Sequence, residues 1–363
     1  MNFSYDVLAG RVVFAIGSRH KLADEVSALG SRRVLVVASL EEDELAAEIT
    51  DVLGDLAVGR FDGVAQHVPI AQADAAIAMA RQVEADTVVT IGGGSATGFG
   101  KIIALSLDVQ LVAVPTTYAG SEMTDIWGLT DGDHKQTGKD PRVKPKVVVY
   151  DPELTLTLPA RIAGPSGMNA MAHAVEALYG PGANPVVSAM ATEAIAALHT
   201  GLPVVVNEPD NLDGRSHVLY GAYLAAVALA GSGTALHHKI CHVLGGMFNL
   251  NHGDMNSVVL GHALAYNSPA IPECMARIAG ALGVDAPRVP GAMFDLAAAI
   301  GAPTSLEAIG MPAEGLDEAA RRVVTEAAAN VRPPEEDGIR QMLDNAYFGR
   351  RPGDPPSMRG DLT

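Results

Sequence analysis

Five of the eleven histidines, His237, His238, His242, His252 and His262, fall in one stretch, HHKICHVLGGMFNLNHGDMNSVVLGH. Imidazoles at this density either ligate a transition metal or hold and move protons near neutral pH. Upstream, Asn169-Ala-Met-Ala-His173 adds a side-chain amide and an imidazole four residues apart, on one face of a helix. His238 and His242 share the same spacing. Asn251-His252-Gly253-Asp254 reads as a helix start, where the dipole disfavours an imidazolium. A metal site here would call for a carboxylate beside the imidazoles, and Asn169 stands where one would be expected. A neutral amide removes the main anionic attraction for a hard or borderline dication, so the cluster is read as binding without metal. His237 and His262 lack such placement and are read as ordinary core or surface residues.

A second chemistry lies earlier in the chain. Thr87-Val-Val-Thr-Ile-Gly92-Gly93-Gly94-Ser95-Ala-Thr97-Gly98 reads as a strand, a glycine turn and a helix start. Such a turn lets a pyrophosphate approach the free amides of the helix. The spacing excludes a P-loop, because Ile102 follows Gly100-Lys101 where Ser or Thr is required. The next strand ends in Pro115-Thr116-Thr117-Tyr118-Ala119-Gly120-Ser121-Glu122-Met123-Thr124, and its hydroxyls suit a ribose, a phosphate or a nicotinamide. The expected dinucleotide site is therefore Gly92, Gly93, Gly94, Ser95, Thr97, Thr116, Thr117, Tyr118, Ser121 and Thr124. A carboxylate directly after the second strand would select NAD over NADP. The acids Glu41, Glu42 and Asp43 come slightly later, so both NADH and NADPH are expected to be accepted.

These residues need elements to hold them. The chain has 363 residues, 48% of them hydrophobic, which is enough for about two domains with sizeable cores. Up to residue 158, short β-branched runs at Arg11 to Phe14, Arg33 to Ala38, Thr87 to Ile91, Leu111 to Val114 and Val147 to Tyr150 alternate with helical segments at Val68 to Ala85 and Lys101 to Leu107. That alternation predicts an α/β domain with a parallel sheet covered on both faces, binding its ligand at the carboxyl ends of the strands. From 159 to 363 an all-helical domain is expected, with helices at Gly167 to Tyr179, Pro185 to His199, Arg215 to Ala230, Leu236 to Gly245, Met255 to Tyr266 and Leu316 to Ala329. Leu202-Pro-Val-Val-Val206 is ambiguous, and the tail from Arg350 is too Pro-rich and charged to pack well.

Composition limits the partners. A net charge of −17 argues against nucleic acid, which requires a basic face. The solidly apolar part of the longest uncharged run, Val218 to Ala230, is too short to cross a bilayer, and the N-terminus lacks a secretory pattern. Two cysteines, Cys241 and Cys274, fit a reducing cytoplasm. The local excess of cations over His134 to Lys146 reads as a solvated hairpin; Lys135 and Arg142 are weaker candidates for binding an anionic ligand.

The motifs Gly92-Gly-Gly-Ser-Ala-Thr-Gly98, Pro115-Thr-Thr117, Gly120-Ser-Glu122, His173-Ala-Val-Glu-Ala177 and His238-x3-His242-x9-His252-Gly253 resemble the iron-containing alcohol dehydrogenase family, from the first strand to about residue 265. The resemblance implies the architecture shared with dehydroquinate synthase: a dinucleotide-binding α/β domain, then a helical domain in which an Asp and three His hold a metal. Carried over, those positions are Asn169, His173, His238 and His252, with His242 close by to handle a proton or contact substrate. Two departures stand out. The loop between Pro-Thr-Thr and Gly-Ser-Glu is one residue shorter than usual, and the Asp is Asn169. Both features are similar to one branch, the maleylacetate reductases. That branch implies reduction of the dicarboxylate maleylacetate to 3-oxoadipate by NADH or NADPH in the breakdown of aromatic compounds, without a required metal and as a homodimer. The imidazoles of His173, His238, His242 and His252 would then stabilise an enolate and supply a proton, with His242 or His238 favoured for the proton. A metal-dependent alcohol or aldehyde oxidoreductase on the same scaffold is the rival reading.

Overall fold

The computed structural model describes residues 3, 5, 10–132 and 134–353. Six strands form one parallel sheet: β1 (Arg11–Phe14), β2 (Val34–Val37), β3 (Ala57–Phe61), β4 (Thr87–Gly92), β5 (Gln110–Pro115) and β8 (Val147–Tyr150), in the order β1-β8-β5-β4-β2-β3. The runs VLVV, TVVTIG and VVVY are buried throughout because helices cover both faces. On one face α1 (Leu22–Ala28) and α2 (Asp43–Leu53) bring Leu22, Val26 and Ile49 against Val36, Val89 and Val112. On the other, α3 (Ile70–Gln82) and α4 (Gly94–Leu107) bring Ala76, Phe99 and Ile103 against Leu35, Val88 and Leu111. The strands expected from sequence form. β3 was not anticipated: AVGRF is half-buried at the sheet edge, with a glycine and an arginine interrupting any apolar pattern.

The cationic segment contributes the second strand of a separate hairpin, β6 (Ile126–Asp131) with β7 (His134–Lys139). Trp127 and Leu129 of β6 pack on the cluster under α3 and α4. Lys139 pairs with Asp125 at 3.6 Å and Arg142 with Asp140 at 2.7 Å, so these cations are already engaged. The side chain of Lys135 lies outside the described residues.

Among the described residues no strand follows Tyr150. Nine α-helices fill the rest of the described chain: α5 (Ala160–Ala177), α6 (Pro185–Asn207), α7 (Leu212–Ser232), α8 (Leu236–Phe248), α9 (His252–Asn267), α10 (Pro272–Leu282), α11 (Val289–Ala299), α12 (Leu316–Glu326) and α13 (Glu336–Tyr347). α5 is the central helix: nearly every residue from Ala163 to Ala177 is buried, and it packs on α6, α7 and α9. The ambiguous run at 202–206 is helical, the last turns of α6, which begins at Asn184, whose side chain accepts the amides of Val186 and Val187. α6 alone among the described helices is long and apolar enough by itself to cross a membrane. It instead buries Val187, Ala194, Ile195, Leu198 and Leu202 in the helical core.

The start of the tail packs, contrary to its composition. Arg351 pairs with Asp295 of α11 at 2.8 Å, Arg350 with Asp344 of α13 at 2.7 Å, and Pro352 is buried beside Gly261. The two arginines that made this segment look soluble each find a carboxylate on a helix. Residues 354–363 lie outside the described residues.

Candidate active site

The glycine turn sits where β4 and β5 end side by side, Gly92 pairing with Pro115. Gly92 has φ +129°, a conformation only glycine adopts without strain. A Cβ added at Gly93 would lie 3.0 Å from the Thr117 side chain, so a larger residue here would have to push Thr117 aside. α4 starts here with Gly93 as N-cap and no side-chain cap, which leaves its first amides for a ligand. This cradle fits a pyrophosphate, held by Gly92, Gly93, Gly94 and Ser95 with Thr117 alongside.

The loop after β5 is tied down along its length. Thr116 Oγ1 donates to Glu42 at 2.7 Å, Ser166 Oγ accepts the Tyr118 amide at 3.2 Å, and the Tyr118 hydroxyl accepts from Arg215 at 3.3 Å. Tyr150 donates its hydroxyl to Glu122 at 2.7 Å. Lys101 Nζ donates to Thr124 Oγ1 at 2.9 Å and to the Ile126 carbonyl at 2.7 Å. Of the residues expected to touch a cofactor, Thr97, Thr116, Tyr118 and Thr124 have buried side chains, and the Thr116, Tyr118 and Thr124 hydroxyls are bonded within the protein, where they hold the loop in place. Hydroxyls buried at a strand end need such internal partners. Ser121 is half-buried and accepts from Thr124 through its carbonyl.

The same loop reaches the histidines. Asn169 Nδ2 donates to the Ala119 carbonyl at 3.5 Å, and a Cβ added at Gly120 would lie 3.5 Å from His173 Nδ1. α5 supplies Asn169 and His173, α8 supplies His238 and His242, and α9 begins with His252. The rings of His173 and His238 stack at 4.9 Å and 15°. His238 lies 6.4 Å from both His242 and His252, and those two stack at 6.5 Å. The cluster thus runs from a buried pair, His173 and His238, to an exposed pair, His242 and His252. Burial pushes the His173 and His238 imidazoles well below their usual range, and neighbouring imidazoles push the same way.

Glu176, one turn beyond His173, is fully buried and was not expected to take part. Its carboxylate accepts the Ala235 amide at 2.9 Å, the His237 amide at 2.6 Å and His238 Nδ1 at 2.7 Å. Burial raises its pKa, while His237 and these amides hold it down. The sequence signal was there: apart from Arg161, Glu176 is the only charged residue in α5. His237 bonds Asn256 at 2.6 Å, and burial takes its imidazole down to about 3. His262 packs edge-on to Phe294 in the core.

Three buried polar atoms of the cluster have no partner: Asn169 Oδ1, His173 Nδ1 and His238 Nε2. Unsatisfied groups at this burial are costly and point to a ligand. The donor set does not suit a metal ion. One donor is a neutral amide oxygen, and two parallel stacked rings cannot aim their in-plane lone pairs at one point between them. Among the described residues, no three His, Cys, Asp or Glu side chains are set to hold a metal.

The chain is similar to known proteins over most of its length. Residues 9–152 match the model of the iron-containing alcohol dehydrogenases, and residues 164–347 match that of the C-terminal region of the Fe-containing alcohol dehydrogenase family. A maleylacetate reductase of Sphingobium indicum is 48% identical over 352 residues, covering 97% of this chain and 99% of the relative. The crystal structure of the maleylacetate reductase from Agrobacterium tumefaciens superposes with a TM-score of 0.94 at 42% identity, over 97% of this chain and all of that one. A sulfoacetaldehyde reductase from Bifidobacterium kashiwanohense, solved in complex with NAD+, has a TM-score of 0.89 at 22% identity, over 95% of this chain and 99% of that one, a likeness of fold alone.

Proposed function

The chain belongs to the iron-containing alcohol dehydrogenase family, and from that premise we infer that it is an oxidoreductase that reduces the carbon–carbon double bond of maleylacetate to give 3-oxoadipate. Near-full-length relatives of this activity at 43–48% identity support the substrate. The observation in the site that carries the reading is the group of partnerless buried atoms on Asn169, His173 and His238. A neutral, hydrogen-bonding pocket suits a dianionic substrate that a carboxylate at position 169 would repel.

Gly92, Gly93, Gly94, Ser95 and the first amides of α4 would hold NADH or NADPH, which would supply the hydride. The alkene carbon β to the ketone accepts it, and the negative charge moves through the α carbon to the ketone oxygen. His173 lies deepest and stabilises that oxygen by hydrogen bonding; the α carbon takes a proton from His238, which gives it from Nε2 once that atom has been protonated. His242 and His252, exposed at the rim, connect this chemistry to solvent. No step requires a metal ion. The reaction belongs to the breakdown of aromatic compounds, in the cytoplasm and in a homodimer; the two cysteines, neither in a disulfide, support a reducing compartment.

The test is NAD(P)H consumption with maleylacetate before and after exhaustive chelation. Unchanged turnover is expected. Loss of turnover with EDTA and its return with iron or zinc would establish the metal-dependent alternative.

A further inference from the structure

Glu176 does more than terminate a helix. Two of its bonds cap α8, because Ala235 and Leu236 begin that helix and the Ala235 and His237 amides have no intrahelical partner. Oε1 takes the His237 amide, while Oε2 takes both the Ala235 amide and His238 Nδ1 at 2.7 Å, in a pair whose side chains are almost completely buried. A carboxylate only accepts hydrogen bonds, so Nδ1 carries the hydrogen and Nε2 is the atom left partnerless in the cluster.

We propose that Glu176 is a positioning residue of the reaction: by taking the Nδ1 hydrogen of His238 it fixes the ring so that Nε2 meets the substrate. This rests on the reductase reading above and sharpens it. Between His238 and His242, it is His238 that touches the reacting atoms. A side chain that holds both the helix start and the ring sets the ring's direction and its tautomer together, as carboxylates behind working histidines do. The stack on His173 at 4.9 Å leaves the ring little other freedom.

Glu176→Gln tests this, because the amide oxygen keeps the His237 amide at the start of α8 while the amide hydrogens face His238 Nδ1, at the cost of the Ala235 bond. Nitrogen-15 NMR of the free protein should show the His238 tautomer inverted, with hydrogen on Nε2 in place of Nδ1. With maleylacetate, kcat should fall about 10- to 100-fold with KM changed less than about threefold. Glu176→Asp, which keeps the acceptor charge, should hold the original tautomer and recover part of kcat. An unchanged tautomer in Glu176→Gln, or an inverted tautomer with unchanged kcat, would overturn the proposal. The NMR measurement needs no substrate, so failure of the maleylacetate assignment would leave the tautomer result intact and be recognised separately. Thermal unfolding of Glu176→Gln checks that the fold survives; if it does not, His238→Gln supplies a second arm, expected to lower kcat about 10- to 100-fold, and a kcat within about threefold of the unsubstituted enzyme would overturn the proposal.

Discussion

His173 and His238 stack face to face at 4.9 Å although they come from different helices, and both are buried. Replacing either with alanine should lower kcat/KM for maleylacetate by about 10²-fold, the usual effect of removing a group that stabilises developing charge or transfers a proton. Steady-state kinetics with saturating NADH checks this. A near-normal His173→Ala enzyme would remove that ring from the chemistry.

Acid should weaken the fold through the core histidines. Burial lowers His262 to about 4 and His237 to about 3, from an ordinary 6.5. Below about pH 6.5 the unfolded chain therefore binds more protons than the folded one, so stability is full above that pH and drains away as pH falls toward 4. His262→Leu should flatten the loss of Tm between pH 7 and 5, measured by calorimetry in the absence of substrate.

Base should act in the opposite sense on Lys101. Burial takes its ammonium from 10.5 down to about 7, against the pull of Glu122 and Asp125. Between those values the unfolded chain holds the extra proton, so this lysine makes the fold more stable as pH rises from 7 toward 10. Lys101→Met should lose that rise in a series of denaturant midpoints.

Glu42 should bias the choice of cofactor. It follows β2, bonds Thr116, and its Cγ would lie 3.9 Å from a Cβ on Gly92, so its carboxylate leans over the phosphate turn. Asp43, by contrast, is paired with Arg60. A carboxylate near the adenosine ribose disfavours the extra phosphate of NADPH. Glu42→Gln is expected to raise the NADPH-to-NADH ratio of Kd-based affinities by about tenfold, read from cofactor fluorescence titrations.

Arg142 should prove dispensable. It is exposed and held by Asp140 at 2.7 Å, so Arg142→Ala is expected to change neither kcat nor KM for maleylacetate by more than about twofold.

Much of this was readable from the chain. Continuous apolar runs such as VVVY predict buried parallel strands, and the i, i+4 pair Asn169 and His173 lies on one helix as the spacing requires. What escaped depends on tertiary partners. β3 carries no periodic signal because its pairing with β2 replaces side-chain packing. Nothing local shows that the Tyr118 hydroxyl accepts from Arg215, nearly a hundred residues away. Glu176 stands three residues from His173 and 62 from His238, so its bond to the latter exists only once α5 and α8 meet. The tail's arginines likewise acquire meaning only from Asp295 and Asp344.

The bond from Asn169 Nδ2 to the Ala119 carbonyl ties the loop after β5 to α5. An aspartate at 169 would set an anion against that peptide oxygen, with no hydrogen to give it. Restoring a carboxylate by Asn169→Asp would therefore cost the site twice, loosening the loop that joins the cofactor side to the histidines and repelling a dianionic substrate.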